Sequence, residues 1–315
     1  MSMTTNSYNL PPEIQETLAS GILATPTSSC NYALIAEDYS MPTGGGNKIR
    51  FVKPSNFTAS ITPLNPNGLD PAPMLYQETI IDAAIQFYGG WCAVTTEVLT
   101  QSPLPQLALI SERLGVYSKL SQDLILGSYL QSASSKYFCT NGLNGDYPTE
   151  VSAKDLSIVH AALRSSNADY FLSGIEGEPK FGTSPLRSSF FLLASTAQST
   201  TFDNIPIFKS SFNYPSMQNV LLSEYGNVGN FRILTASNLI TTPNASKNGS
   251  TIYNDMAVGR QSVAAIKQDQ WSTRLVYQPP IMRSPLLRSC ALGVTWASAN
   301  SISQSTWIFN VQATI

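Results

Sequence analysis

The sequence predicts an α+β fold, and three features of the chain lead to that prediction. Apolar side chains recur at helical spacing through residues 104–134, which would form a helix roughly 45 Å long. Polar and apolar residues alternate through residues 47–51 and again through residues 79–87, as in strands. The ending alternates in the same way, and residues 289–315 contain no charged side chain. At 315 residues the chain can hold one elaborate domain or two ordinary ones.

Charged residues are scarce throughout the chain. They make up 12% of it, about half the share found in an average soluble domain. Because exposed charge normally keeps a monomer soluble, this composition is typical of a protein whose surface is covered by copies of itself. A secreted β-rich protein can share the composition, and composition alone leaves both alternatives open. The net charge of −2 argues against a dedicated nucleic-acid-binding protein.

We expect no disulfide framework, metal site, signal peptide or membrane span. The four cysteines are far apart, and His160 is the only histidine, so ligand spacing for zinc is missing. The first residues lack the basic and apolar regions of a signal peptide. No run approaches the roughly 18 apolar residues that a membrane span requires.

Residues 1–40 are expected to form an N-terminal arm. A short amphipathic helix is compatible with Pro12–Leu23, where proline occupies the first turn, and the rest is expected to be extended. The arm contains no lysine or arginine, and its acidic residues are Glu13, Glu16, Glu37 and Asp38.

Residues 41–88 are expected to form a long two-stranded hairpin with a proline-rich tip. Gly89 and Gly90 then indicate a bulge or bend. The tip carries few large apolar groups, so we expect the whole hairpin to be mobile until it lies across a neighbouring subunit. The first strand carries three bases, which would match the acidic arm of a neighbour, although chance is the alternative. These bases are Lys48, Arg50 and Lys53.

Residues 150–240 are expected to form a compact α/β region, followed by a surface loop at 241–255. Ser152 can cap a helix that continues through Leu163, and Phe190–Leu193 and Phe231–Leu234 have the composition of buried strands. Six apolar residues of the long helix and of the last strand are core candidates. They are Leu114, Tyr117, Leu124, Trp307, Phe309 and Val311.

No catalytic constellation is visible in the sequence. His160 would be the only imidazole base, and a surface or capping role suits its helical position better. Residues 44–48 resemble a phosphate-binding loop only faintly, because a strand follows where a helix would be required. Glu176 and Glu178 flank a solvated turn. We therefore expect no enzyme and assign no catalytic, cofactor-binding or metal-binding residue.

Five stretches of sequence, in a fixed order, carry a family resemblance. They are 41–51, 85–89, 114–125, Glu224–Arg232 and 285–307. They resemble the major capsid family named after coliphage N-four, and the order of the elements resembles the Hong Kong 97-type fold of tailed-bacteriophage capsid subunits. The resemblance extends from about residue 30 to the end and is weak over 140–215.

This resemblance implies a division of the chain into four parts. Residues 1–40 would be the N-arm and 41–88 the E-loop hairpin. Residues 89–149 and 270–315 would form the peripheral domain, with the spine helix at 104–134. Residues 150–269 would form the axial domain.

The resemblance also implies a function and partners. The chain would assemble into hexamers and pentamers of an icosahedral head that encloses double-stranded DNA without sequence-specific binding. Other partners would be a portal, a separate scaffolding protein and, as a further candidate, a decoration protein. The protein would be made in the cytoplasm of the bacterial host and end in the virion, without a cofactor or a membrane.

Two other classes of protein were weighed against this one. A secreted or surface β-rich binding module, such as an adhesin or tail-fibre segment, would share the low charge but lack the long helix. A hydrolase is disfavoured by the single histidine.

Overall fold

A computed structural model describes most of the chain from residue 31 onward. The N-terminal residues that carry Glu13, Glu16 and the expected helix Pro12–Leu23 lie outside the described part, as do Glu176 and Glu178. The described residues are 31–42, 46–61, 63, 72–102, 105–133, 135–142, 147–171, 188–214, 220–221, 223–243, 245–246, 249–269, 273–279 and 288–315.

The described residues form five α-helices and fifteen strands. The helices are α1 (Tyr32–Ile35), α2 (Thr96–Gln101), α3 (Gln106–Ala133), α4 (Ala153–Ser165) and α5 (Ser199–Asp203). The strands are β1 (Glu37–Met41), β2 (Lys48–Pro54), β3 (Glu78–Ala84), β4 (Gln86–Thr95), β5 (Ser135–Phe138), β6 (Phe190–Ser195), β7 (Phe208–Ser210), β8 (Glu224–Val228), β9 (Phe231–Ala236), β10 (Thr241–Thr242), β11 (Ile252–Val258), β12 (Val263–Gln268), β13 (Arg274–Gln278), β14 (Ser289–Ile302) and β15 (Ile308–Ala313).

Strand β14 is the centre of a five-stranded sheet. It pairs with β4 along one edge and with β12 and β13 along the other, and β1 adds to β12. The register between β4 and β14 is unbroken from Thr95 to Gln86. The bulge expected at Gly89 and Gly90 is therefore wrong. Gly90 instead makes room for the long helix, since a Cβ there would lie 2.7 Å from Cε1 of Tyr117.

The long helix α3 confirms the helix expected at residues 104–134 and connects the two larger sheets among the described residues. Near its start, the ring of Tyr117 packs on Trp296 of β14, with ring centroids 6.1 Å apart. Near its end, Leu126 and Leu130 are buried in a cluster that also contains residues of the second sheet. The helix thus packs against both sheets.

The second sheet has eight strands in the order β5-β15-β11-β6-β9-β8-β7, and β10 adds to β11. Helix α4 covers one face through Leu156, Val159 and Leu163, all nearly solvent-free. Its N-terminus carries the capping box that Ser152 predicts, because Ser152 and Asp155 bond each other's backbone N–H groups. The opposite face packs on α1 and the end of α3.

Residues 31–41 differ from the extended arm that was expected there. The side chain of Asp123 on α3 accepts a hydrogen bond from the Ala33 N–H at 2.9 Å, at the start of α1. The Tyr32 ring packs over Gly127, where a Cβ would lie only 2.5 Å from it. Strand β1 then extends the five-stranded sheet in parallel with β12. Residues 31–41 are therefore held by buried contacts and by strand pairing within the chain.

The loop expected at residues 241–255 is also wrong in part. Its end forms the first half of β11, where Asn254 and Asp255 are buried between neighbouring strands. Polar side chains suggested a surface, but these two are buried in a sheet, and Asn254 bonds polar side chains of the neighbouring strand. Asn254, for example, accepts a hydrogen bond from the Gln312 amide at 2.8 Å.

The two charge-free segments at the C-terminus enter different sheets. Strand β14 belongs to the five-stranded sheet, whereas β15 lies between β5 and β11 in the eight-stranded sheet. Strand β12, before residue 270, belongs to the five-stranded sheet. The chain therefore passes from the eight-stranded sheet to the five-stranded sheet between β11 and β12. It returns to the eight-stranded sheet between β14 and β15.

The six core candidates divide into buried and exposed residues. Val311 is solvent-free, while Trp307 and Phe309 are half-buried against the same core. On α3, Leu114 is half-buried, but Tyr117 and Leu124 are 45% and 42% exposed. The helix buries Leu126 and Leu130 instead, because its second half turns a different side toward the sheet. The predicted core face of this helix was therefore wrong at Tyr117 and Leu124.

Candidate inter-subunit site

The hairpin formed by β2 and β3 is antiparallel, with Lys48 opposite Ala84 and Pro54 opposite Glu78. Its base packs on its own subunit. Ile49 and Phe51 lie against a small cluster that includes Met41 of β1 and Ile266 of β12. The expectation that the whole hairpin is held only by a neighbour is therefore wrong for its base, where apolar contacts anchor it.

The return strand is shorter than expected. Strand β3 ends at Ala84, and Gln86 already begins β4 of the five-stranded sheet. Phe87 therefore lies outside the hairpin, with its ring 63% exposed on the sheet. The predicted hairpin end at residue 88 is too late, because the alternating pattern continues unbroken from one sheet into the other.

Arg50 has a partner within its own hairpin. Its guanidinium bonds Asp82 on the opposite strand at 2.9 Å, and both side chains are largely exposed. The hydrogen bond to Arg50 lowers the pKa of Asp82. Because the two residues lie directly opposite each other, the pair favours this register of the hairpin. The sequence suggested three unpaired bases because Asp82 lies 32 residues further along the chain.

The other two bases of the hairpin differ in their surroundings. The Lys53 ammonium bonds the side-chain oxygen of Gln304 in the same subunit. The Lys48 side chain is exposed. Since Arg50 and Lys53 already bond groups of their own subunit, Lys48 is the base with the most direct access to a neighbour.

The acids of the predicted arm are only partly described. Glu13 and Glu16 lie outside the described residues, whereas Glu37 and Asp38 lie on β1. Asp38 forms an exposed ion pair with Lys267 on β12 at 3.2 Å. Glu37 accepts a hydrogen bond from the Tyr39 hydroxyl at 3.0 Å. Within the described part of the chain, no ion pair joins these acids to the hairpin bases.

The outer part of the hairpin exposes large apolar side chains. The rings of Phe57 and Tyr76 lie 6.4 Å apart, and each residue is more than half exposed. Ile61 is 99% exposed and Leu75 is 81% exposed. The expectation of few large apolar groups was therefore wrong. Prolines punctuate this segment of the sequence, and the large apolar residues lie between them.

A second exposed apolar surface lies on the five-stranded sheet. Phe87 and Trp91 project from β4 on the face away from α3, and Trp91 is 65% exposed. All five residues of β13 are exposed as well. Exposed apolar surfaces of this kind mark protein–protein contacts more often than they mark free surfaces.

His160 is a packing residue. Its Nε2 lies 2.7 Å from the Tyr170 hydroxyl, and its ring stacks on that of Tyr170. Phe190 and Phe231 contact the same imidazole. Burial, followed by the charge of Arg164, lowers its pKa. The Asn230 amide also lies 3.1 Å from Nε2, so aromatic and polar packing partners surround the imidazole among the described residues.

Glu224 and Arg232 form a buried ion pair that sequence reasoning did not identify. They lie on the hairpin of β8 and β9, and both side chains are nearly solvent-free. Arg232 Nε donates to Glu224 Oε1 at 2.9 Å, and the Tyr214 hydroxyl donates to the same oxygen at 3.0 Å. The spacing of eight residues around a glycine turn was the available signal.

The same stretch, residues 224–232, also explains one of the motifs that carry the family resemblance. Gly229 has φ of +57° in the turn, which favours glycine. A Cβ at Gly226 would lie 2.4 Å from the Lys209 carbonyl oxygen of the adjacent β7. The motif is therefore a structural signature, in which a turn, a close strand approach and a buried ion pair occur together.

Neither a metal centre nor a membrane helix is found among the described residues. No group of three or more His, Cys, Asp or Glu side chains there could hold a metal ion. None of the helices described has the length and hydropathy needed to cross a membrane.

Comparisons by sequence and by structure give different results. No family model matches the chain, and no curated protein matches it significantly in sequence. By structure, the capsid of cyanophage P-SCSP1u has a TM-score of 0.64 and 11% identity, covering 94% of this chain and 91% of that one. The capsid of Ralstonia phage GP4 has a TM-score of 0.64 and 11% identity, covering 89% and 87%.

A third similar structure is the head of Helicobacter pylori bacteriophage KHP40. Its TM-score is 0.62 at 11% identity, and the match covers 94% of this chain and 93% of that chain. The chain has the Hong Kong 97-type capsid fold. This confirms the fold class predicted from the order of the elements.

Proposed function

We propose that this protein is the major capsid protein of a tailed bacteriophage and that its copies form the icosahedral head around double-stranded DNA. The observation that carries the proposal is structural similarity to phage capsid structures over nearly the whole length of both chains. The exposed apolar surfaces of the hairpin and of the five-stranded sheet support it, because they suit a chain that is covered by other copies. The finer assignment to the family named after coliphage N-four rests on the five sequence stretches.

The two larger sheets support a proposed domain assignment. The five-stranded sheet with α3 would be the peripheral domain and the eight-stranded sheet with α4 the axial domain. Strands β5 and β15 would then belong to the axial domain, although the sequence placed their residues in the peripheral one. Residues 1–30 would form the N-arm and the hairpin of β2 and β3 the E-loop.

Partners are other copies in hexamers and pentamers, a scaffolding protein, a portal and, as a candidate, a decoration protein. Synthesis would take place in the host cytoplasm. The outer hairpin would lie across a neighbouring subunit. That subunit would cover the hairpin's own Phe57, Ile61 and Tyr76 side chains, which are exposed in the single chain. Many weak contacts become strong together in a closed symmetric shell. A protein of this kind needs no active site, so the role would be structural rather than enzymatic.

The β-rich binding module is not favoured, because α3 extends over 28 residues where such a protein would lack a helix. The decisive experiment is negative-stain microscopy of the purified chain, expressed alone and together with a scaffolding protein from the same phage genome. We expect uniform closed heads with the scaffolding protein, and tubes or aggregates without it. Uniform heads from the chain alone would contradict the need for scaffolding. A monomer under both conditions would contradict the function.

A further inference from the structure

Strand β13 has an open edge in line with β1. On β14, Ser298 pairs with Lys267 of β12 and Thr295 pairs with Arg274 of β13, so β12 and β13 follow one another along the same edge. Strand β1 covers the outer edge of β12 and ends where Met41 faces Gln268. Among the described residues, no strand continues this row beside β13.

The chemistry of β13 is that of a strand which accepts a partner. Exposed edges in monomers are usually protected by lysine, proline or a bulge inside the strand. Residues 274–278 contain none of these three, although Arg274 places one charge at the start of the strand, and they carry a central run of three large apolar side chains. Leu275 is 52% exposed, Val276 46% and Tyr277 50%. These side chains alternate between the two sheet faces, so a docked strand would bring apolar contacts on both faces.

We propose that β13 pairs with β13 of a second copy of this chain, as an antiparallel strand addition about a two-fold axis. The inference rests on the proposed function, because an icosahedral shell provides two-fold contacts between its capsomers. The paired strands would join two five-stranded sheets into one continuous sheet.

The sequence of β13 is complementary to itself in an antiparallel pairing, which favours β13 of a second copy as the partner strand. In an antiparallel register centred on Val276, this residue faces its own copy, Leu275 faces Tyr277 and Arg274 faces Gln278. Such an isologous contact uses the same surface on both copies and therefore closes at two copies. A parallel pairing would place the two Arg274 side chains next to each other, and like charges directly opposite are unfavourable. The antiparallel register avoids this contact.

The free row also suits the geometry of this pairing. The incoming β13 runs opposite to β13 of the first copy. The β12 strand of the second copy therefore extends beyond Gln278 of the first copy, on the side away from β1 of the first copy. The two β1 strands then lie at opposite ends of the joined row. Neither copy of β1 occupies the space that the incoming β13 requires.

The experiment is oxidative crosslinking of the variant Val276→Cys in assembled full-length chain. Residues opposite each other in antiparallel strands have Cα atoms about 4.5–5.5 Å apart, within the range of a disulfide at about 4.4–6.8 Å. We expect a covalent dimer on a non-reducing gel after mild oxidation. The matched control is Leu275→Cys, since its two copies would be diagonal, at about 7–8 Å, and should crosslink poorly. Wild-type chain controls for the native cysteines.

A second pair of variants tests the same contact through charge. Val276→Lys and Val276→Glu should each lose shell yield several-fold, because each places like charges opposite each other at the two-fold axis. A mixture of the two should recover most of the yield. Recovery would not be expected if β13 met any other segment.

The outcomes separate this inference from the proposed function. Normal shells of Val276→Cys without a covalent dimer, or equal crosslinking of Leu275→Cys, would overturn the β13 pairing and leave the capsid function intact. If wild-type chain forms no shell under any condition, the function fails. The crosslink is then measured on concentrated soluble chain, where absence of the dimer overturns the pairing as well.

Discussion

The eight-stranded sheet and the hairpin of β2 and β3 differ in which side chains they bury and which they expose. In the sheet, one pair of charged groups is buried and bonded, namely Glu224 and Arg232. In the hairpin, charges pair at the exposed surface while Phe57 and Ile61 face solvent. The sheet therefore buries polar groups within one chain, whereas the outer hairpin leaves apolar side chains exposed among the described residues. Under the proposed function, a neighbouring copy would cover them.

The largest effect on this contrast should come from breaking the buried ion pair. Arg232→Met leaves the Glu224 carboxylate buried without its cation, and removing one partner of a buried pair costs about 3–5 kcal/mol. Urea unfolding of the soluble chain measures the loss. The control is the double variant Glu224→Leu with Arg232→Met, which should recover much of the stability because no charge remains buried. A single variant as stable as wild type would show that the sheet does not depend on this pair.

A second test uses the pH dependence of the same sheet. Asp255 is fully buried in β11, and neither carboxyl oxygen has a hydrogen bond of good geometry within the described residues. Burial raises its pKa to about 8, although the Gln198 amide and the Ser195 N–H lie close enough to oppose the shift. Cys139 and Tyr32 are the titratable groups that it influences, and burial also raises their pKa values.

The sign of the effect follows from proton binding. Between the unfolded pKa near 4 and the folded pKa of about 8, the folded chain binds the proton and the unfolded chain does not. Stability should therefore fall as pH rises through that window, by about 1.4 kcal/mol per unit. Relative to Asp255→Asn, wild type should lose about 3 kcal/mol between pH 4.5 and 6.5. Parallel pH profiles of the two proteins would mean that Asp255 is not protonated in the fold.

The third prediction compares two glycines of the long helix. Gly115 has open space around its missing side chain, so Gly115→Ala should stabilise the chain by about 0.5–1 kcal/mol through helix propensity. Gly127→Ala would drive a methyl group into the Tyr32 ring and should cost about 1–3 kcal/mol, as overpacking does. Thermal unfolding of both variants is the measurement. Equal stabilisation by both would show that residues 31–36 do not pack on the helix.

These regions also differ in how far the sequence could predict them. Periodicity found α3, the hairpin and the helix capped by Ser152, because those signals depend on near neighbours. It missed the roles of Gly90 and Gly127, since each glycine accepts a tyrosine from a distant part of the chain. The polar start of β11 was predicted to be a loop, because the partner of the Asn254 side chain lies on a neighbouring strand that is distant in sequence. For the inter-subunit site, Lys48, Arg50 and Lys53 lie on the hairpin strand that the alternation predicted, whereas Glu37 and Asp38 lie on β1 rather than in a free arm. The bonds of Arg50 and Lys53 within the chain were not foreseen.

The smallest expected effect concerns the charges of the hairpin. It tests whether these exposed charges act within the hairpin or between copies of the chain. Lys48 is exposed, whereas Arg50 is bonded to Asp82 across the hairpin. Lys48→Glu should leave the monomer folded and weaken assembly modestly, and added salt should narrow the difference from wild type because exposed charges are screened. Arg50→Glu should instead disturb the hairpin itself, and Arg50→Glu combined with Asp82→Arg should restore it by reversing the pair. Circular dichroism reports on the fold of each variant, and sedimentation velocity at low and high salt reports on assembly.

If Lys48→Glu assembles like wild type at low salt, the hairpin acts through Phe57, Ile61 and its backbone rather than through charge. If the double reversal does not recover the assembly lost in Arg50→Glu, Arg50 meets a neighbouring subunit as well as Asp82.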